Sequence, residues 1–168
     1  MRAVKRRFAS AMATAAAVSG TVLAAPGPAH AAWGTTSPVS IQVVGRNPLG
    51  GVTDIGRADG WVQFDSGGNT FRYSLTICRQ SSYVWPRLVI AVDAGWVGST
   101  WVDTPVENVY LPSGTPTTPT SPCYGDTYTV TGTDTYSNPW NVEFVLWGGY
   151  YGSTYQDISK NTVVSDPY

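Results

Sequence analysis

Residues 61–78 read WVQFDSGGNTFRYSLTIC, and the fold class follows from this stretch. Two runs rich in aromatic and β-branched residues flank SGGN, a cluster of the small and polar residues that form turns. In the second run Phe71 and every second residue up to Ile77 are apolar, and the residues between them are polar. Side chains alternate between the two faces of a strand, so the pattern predicts a β-hairpin with one buried face.

Similar segments recur along the chain, and no apolar stripe of helical period follows residue 31. The run RLVIAV at residues 87–92 is continuously apolar, which is typical of a strand buried on both faces. Together the segments predict a single all-β domain, an antiparallel β-sandwich of seven to nine strands. The other predicted strands are residues 39–44, 96–102, 107–111, 124–131 and 140–147.

The first 31 residues have the layout of a secretory signal peptide. MRAVKRR carries four cations, residues 8–25 are small or apolar without charge, and Ala29-His30-Ala31 forms an A-x-A cleavage site. An N-terminal membrane anchor is the alternative, but the segment is alanine-rich and only weakly hydrophobic. The sequence therefore predicts a secreted bacterial protein whose mature domain comprises residues 32–168.

The charge of the predicted mature domain argues against some partners. Residues 32–168 carry six cations and eleven carboxylates, a net charge of −5. After signal cleavage, a protein with a net negative charge and scattered cations is not expected to bind nucleic acid or an anionic membrane. We therefore expect the partner to be a polysaccharide or an extracellular protein.

Cys78 and Cys123 are the two cysteines of the chain. In an exported protein an even pair of this kind predicts a disulfide. Closing a loop of this length would stabilise the fold by about 4 kcal/mol in the chain-entropy description. A reactive thiol pair is the alternative, but no C-x-x-C spacing is present.

Residues 112–122, PSGTPTTPTSP, resemble in composition the linkers between modules of secreted enzymes. As a linker this segment would leave a short second piece, and the predicted disulfide would tie that piece to the first. We therefore interpret it as a long, semi-rigid loop within one domain.

Histidine is absent after the predicted cleavage point, because His30 is the only one in the chain. This absence excludes the Ser-His-Asp and Cys-His arrangements and most catalytic zinc or copper sites. The segment from Asp65 to Asn69 offers two oxygen ligands but lacks the ligand density of a calcium loop. No nucleotide-binding motif occurs either. The sequence predicts no cofactor and no metal site.

Paired carboxylates could still hydrolyse a glycosidic bond. Glu143 is the best candidate acid, because it lies in an aromatic strand, and Asp65, Asp93 or Asp103 would be its partner. A solvated carboxylate on the outer face of a sheet explains Glu143 better, since the chain is short for a cleft-bearing glycosidase.

The aromatic residues divide into a predicted core set and a predicted surface set. A flat ring beside amides and carboxylates suits sugar binding, because the ring stacks on the C–H face while the polar groups bond the hydroxyls. We expect Gly148 and Gly149 to form a turn or bulge that helps to expose the rings. The predicted ligand-binding residues are Trp147, Tyr150, Tyr151, Tyr155, Trp61 and Asn141. The predicted aromatic core is Phe64, Phe71, Tyr73, Trp140 and Phe144.

Three functions remain compatible with these residues. The first is a non-catalytic extracellular module that binds carbohydrate through surface aromatics. The alternative is a secreted inhibitor of a protease or amylase, in which the proline-restricted loop 112–122 inserts at low entropic cost. A small glycosidase that uses Glu143 is the third.

Overall fold

The computed structural model describes residues 32–110 and 127–168, which contain eight β-strands and no helix. Accordingly, this part of the chain has no helix long and apolar enough to cross a membrane. The predicted signal peptide (1–31) and the whole of the predicted loop (112–122) lie outside the described residues. The strands are β1 (Ser37–Arg46), β2 (Val52–Phe64), β3 (Thr70–Arg79), β4 (Arg87–Val97), β5 (Thr100–Val109), β6 (Thr127–Thr135), β7 (Asn141–Tyr151) and β8 (Tyr155–Ser165).

The strands form two four-stranded sheets, ordered β1-β2-β3-β6 and β5-β4-β7-β8, which we call the first and the second sheet. Every neighbouring pair is antiparallel, which confirms the prediction of an all-β antiparallel fold. The inner faces contribute to one hydrophobic cluster. The rings of Tyr73 in β3 and Phe144 in β7 meet edge-on across it, with 6.1 Å between their centroids. The two sheets therefore share a core, as in a β-sandwich.

The hairpin predicted from residues 61–78 is confirmed. Phe64 and Phe71 pair across the strands β2 and β3, and the Asp65 carboxylate accepts the backbone N–H groups of Asn69 and Thr70. Gly68 has a positive φ of 64°, a conformation that glycine adopts at little cost. Asp65 therefore stabilises a turn.

Several strand boundaries differ from the prediction. Residues 96–102 were predicted as one strand, but Val97 and Thr100 pair across a tight turn that contains Gly98 at a φ of 63°. Strand β2 begins at Val52, earlier than predicted, and β8 was not predicted at all. β8 lies at the edge of the second sheet and is mostly polar, so it lacks the apolar alternation on which the prediction depended.

The aromatic core was predicted correctly at four positions and wrongly at one. Phe64, Phe71, Tyr73 and Phe144 are buried, whereas Trp140 is 59% exposed. Strand β7 begins one residue later, at Asn141, so strand alternation does not extend to Trp140. Its indole instead lies over Gly95, where an added Cβ would come within 2.8 Å of the ring.

Cys78 lies fully buried near the end of β3. Its predicted partner, Cys123, falls outside the described residues. The disulfide between them stays a prediction.

Candidate functional site

The outer face of the second sheet carries the candidate site. On β7 the residues Val142, Phe144 and Leu146 point into the core, so the intervening odd-numbered residues up to Tyr151 point outward. Register brings odd-numbered residues of β8 beside them, with Ser159 opposite Trp147 and Tyr155 opposite Tyr151. Rings and polar groups therefore share one surface.

Three tyrosines, Tyr83, Tyr151 and Tyr155, form a cluster at one end of this face, which we call the tyrosine cluster. The rings of Tyr151 and Tyr155 lie 5.4 Å apart between centroids, and Tyr83 lies 4.9 Å from Tyr151 and 6.3 Å from Tyr155. Their exposed fractions are 62%, 58% and 41% for Tyr83, Tyr151 and Tyr155. An exposed aromatic group of this size marks a binding surface more often than a single exposed ring does.

The tyrosine cluster is held on a rigid support. Tyr83 lies in the connection between β3 and β4, and its backbone N–H donates to the Gly149 carbonyl at 2.6 Å. The buried Ser82 hydroxyl donates to the same carbonyl at 3.1 Å and accepts the Gly149 N–H at 3.0 Å. The Tyr155 hydroxyl donates to Asp157 at 2.8 Å. These bonds hold the Tyr83 backbone and the Tyr155 ring in place before any ligand binds, which lowers the entropic cost of binding.

Trp147 occupies the middle of the face. Its ring is half-buried, and the Arg87 guanidinium lies over it at 5.1 Å from the centroid. Arg87 pairs with Trp147 across β4 and β7, so the register of the sheet determines this cation–π contact.

Glu143 lies at the other end of the face, in the floor of a hollow of about 440 Å³ that Trp101 and Trp147 also line. Its side chain is 1% exposed. Asn161 donates to one carboxyl oxygen, and the Trp101 indole N–H lies 3.4 Å from the other. Burial raises the pKa of Glu143 and the neighbouring Asp103 carboxyl raises it further, while the bonds from Asn161 and Trp101 oppose the rise.

These contacts weaken the glycosidase hypothesis. Of the three predicted partners only Asp103 lies beside Glu143: both line the same hollow, and the Asp103 carboxyl is close enough to raise the pKa of Glu143. Retaining glycosidases hold their carboxyls about 5 Å apart, and inverting enzymes hold them farther apart. Asp65 accepts hydrogen bonds within the hairpin turn, and Asp93 accepts the backbone N–H of Trp140 at 3.0 Å.

Three of the predicted ligand-binding residues do not join the site. Tyr150 points to the opposite side of β7, packs against the core and donates to Gln156 at 2.9 Å. Asn141 is 3% exposed, because its amide exchanges two hydrogen bonds with the backbone of Ala94, at 2.7 and 2.8 Å. Trp61 belongs to β2 and lies on the outer face of the first sheet, in a hollow with Arg72 and Ser74. Of the predicted ligand-binding residues, the structure therefore brings Trp147, Tyr151 and Tyr155 onto one face and places these three elsewhere.

The two glycines of β7 also differ from expectation. Gly148 and Gly149 continue the regular pairing with β8, and the turn follows Tyr151. An added Cβ at Gly149 would come within 2.3 Å of the Tyr155 hydroxyl, so this glycine leaves room for the ring above it. Close packing, and not a turn, requires a glycine here.

Sequence reasoning missed four residues of the face: Tyr83, Arg87, Trp101 and Asp157. Tyr83 carries no periodic signal, since it belongs to a connection between strands. Trp101 could have been found if Gly98 had been recognised as the turn residue. Asp157 could have been predicted only if β8 had been recognised as a strand.

No group of three or more histidine, cysteine or acidic side chains within the described ranges could hold a metal ion. Comparisons of the chain with protein families, curated proteins and solved structures find no match.

Proposed function

We propose that this protein is a secreted, non-catalytic binding module that recognises carbohydrate through the outer face of the second sheet. The observation that carries the proposal is the common exposure of Tyr151 and Tyr155 beside the half-buried Trp147, on one side of two paired strands. Rings held in this way offer apolar faces to the C–H groups of a sugar.

Polar groups between the rings support carbohydrate over a purely apolar ligand. Ser159 lies opposite Trp147 in the register, and Asp157 lies opposite Gly149. Asp157 accepts one hydrogen bond from Tyr155, and a carboxylate has further lone pairs for a sugar hydroxyl. A few such groups beside aromatic walls are what a small-molecule site needs for orientation.

The extracellular location and the disulfide belong to the same proposal. They rest on the signal-peptide pattern of residues 1–31 and on the cysteine pair Cys78 and Cys123. Mass spectrometry of the secreted protein, with and without reductant, would identify both the cleavage point and the bond.

Retention on insoluble polysaccharides tests the proposed function. We expect the wild-type protein to be retained on at least one of chitin, cellulose and bacterial cell-wall polysaccharide. Trp147→Ala should reduce the bound fraction about tenfold, because a central stacking ring is lost. The matched control is Trp61→Ala, which removes a partly buried tryptophan from the outer face of the other sheet. Equal retention of both variants, or no retention of the wild type on any of the polysaccharides, would contradict the proposal.

A further inference from the structure

Two hollows on the outer face of the second sheet adjoin each other. The larger, of about 440 Å³, extends from Trp101 over Glu143 to Trp147. The smaller, of about 240 Å³, extends from Trp147 to Asp157. Both are lined by Arg87 and Trp147, and Asp157 bonds Tyr155 in the tyrosine cluster. We call the two hollows, together with the tyrosine cluster beside Asp157, the trough.

The trough is long compared with a small sugar. Glu143 and Tyr151 are eight positions apart on β7. At roughly 3.3 Å per strand residue they are separated by about 26 Å. Trp101 reaches the Glu143 end through its indole N–H. Rings therefore occupy three separated positions along the trough: Trp101, Trp147 and the tyrosine cluster.

The charges along the trough favour an uncharged occupant. The acidic groups that line the two hollows are Glu143, Asp103 and Asp157. The cations that line them are Arg87, which is stacked on Trp147, and Lys160. The carboxylates of residues 32–168 also outnumber the cations by five. A polyanionic chain would therefore find no excess of positive charge here to bind it.

From this geometry we propose that the trough binds an internal segment of a linear, uncharged polysaccharide, with one sugar stacked at each of the three ring positions. The proposal rests on the carbohydrate-binding function above and deepens it, because it names the class of ligand. A single terminal sugar would use one ring position and leave the other two empty.

Calorimetric titration of the purified protein with cello-, chito- and xylo-oligosaccharides, from di- to hexasaccharide, tests the length of the site. In at least one series the hexasaccharide should bind about tenfold or more tightly than the disaccharide, since added sugars reach further rings. Trp101→Ala and Tyr151→Ala, at opposite ends of the trough, should each weaken hexasaccharide binding about tenfold. Acidic oligogalacturonides of the same lengths should not bind.

Two controls separate stacking from misfolding. Tyr151→Phe keeps the ring and should keep the hexasaccharide affinity, and Trp61→Ala changes a ring on the opposite face. Each variant should keep the wild-type thermal unfolding midpoint to within about 5 °C, the shift that about 1 kcal/mol produces.

The outcomes distinguish this proposal from the proposed function. If disaccharide and hexasaccharide bind equally and Trp147→Ala abolishes the binding of both, the protein binds carbohydrate but the proposal of an extended site is wrong. The proposal of an extended site is also contradicted if oligogalacturonides bind best, or if removal of either end ring leaves the hexasaccharide affinity unchanged. If no carbohydrate binds, and sedimentation shows a dimer that Tyr151→Ala dissociates, both proposals fail and the face is a protein interface.

Discussion

At the scale of single residues, the hydrogen-bond partners of a buried polar group distinguish a structural role from a role in the site. Asn141 and Glu143 are both almost fully buried, but their partners differ. The Asn141 side chain bonds the backbone of Ala94, so it holds an irregular part of β4 in place. Glu143 bonds side chains that line an open hollow. A change at Asn141 is expected to act on stability, whereas a change at Glu143 alters the floor of the site.

The raised pKa of Glu143 predicts how stability depends on pH. Burial and the neighbouring Asp103 keep the Glu143 carboxyl protonated above the pH at which it ionises in the unfolded chain. Between those two pKa values the folded state binds more protons than the unfolded state, so stability falls as the pH rises through this window. We expect Glu143→Gln to reduce this decrease in the free energy of unfolding, as measured by denaturant unfolding at pH values from about 4 to about 8. An unchanged slope would mean that the carboxyl ionises freely in the fold.

At the scale of strands, the β7–β8 hairpin builds the tyrosine cluster through its register. Pairing continues to Tyr151 and Tyr155, so the two rings are direct cross-strand neighbours. Gly149 sits beneath Tyr155, and its backbone anchors Ser82 and Tyr83. One glycine therefore supports two of the three rings.

Gly149→Ala tests this role without removing any ring. The new Cβ would meet the Tyr155 hydroxyl at 2.3 Å, so the flexible ring must move and its bond to Asp157 is expected to break. Polysaccharide retention should fall several-fold while the free energy of unfolding changes by about 1 kcal/mol or less. Gly152→Ala is the matched control, because its Cβ would have no neighbour closer than 3.8 Å. Equal retention of the two variants would contradict the role of Gly149.

At the scale of the whole molecule, both sheets depend on the core between them. Phe144 in the second sheet meets Tyr73 of the first, and both are buried. The candidate site faces away from this core, so its rings can change without loss of the main packing contacts. Stability and binding therefore depend on different sides of the same strand, β7.

Comparison of two aromatic truncations tests this division. Phe144→Ala should lower the free energy of unfolding by about 3–5 kcal/mol, because it leaves a cavity between the sheets. Trp140→Ala removes a larger ring that is 59% exposed, and it should cost about 1 kcal/mol or less. Chemical denaturation monitored by circular dichroism measures both. A larger loss of unfolding free energy for Trp140→Ala than for Phe144→Ala would mean that Trp140 packs in the core after all.

From the order of amino acids alone, the fold class, the 61–78 hairpin and four aromatic core residues could be predicted. The reason is local: a buried strand face imposes an apolar residue at every second position, as from Phe71 to Ile77. Polar edge strands such as β8 carry no such alternation, so only pairing with β7 reveals them.

The candidate site could be predicted only in part. Trp147 follows from strand alternation, and Tyr151 and Tyr155 were predicted from their position beside Gly148 and Gly149; the three lie on one face. Alternation cannot tell which sheet a strand joins. The expected grouping of Trp61 with Trp147 failed for that reason, since the two residues lie on different sheets. Tyr83, Arg87 and Trp101 reach the face from other parts of the chain. Only the pairing of distant strands brings them together, because those contacts depend on register and packing and leave no local pattern.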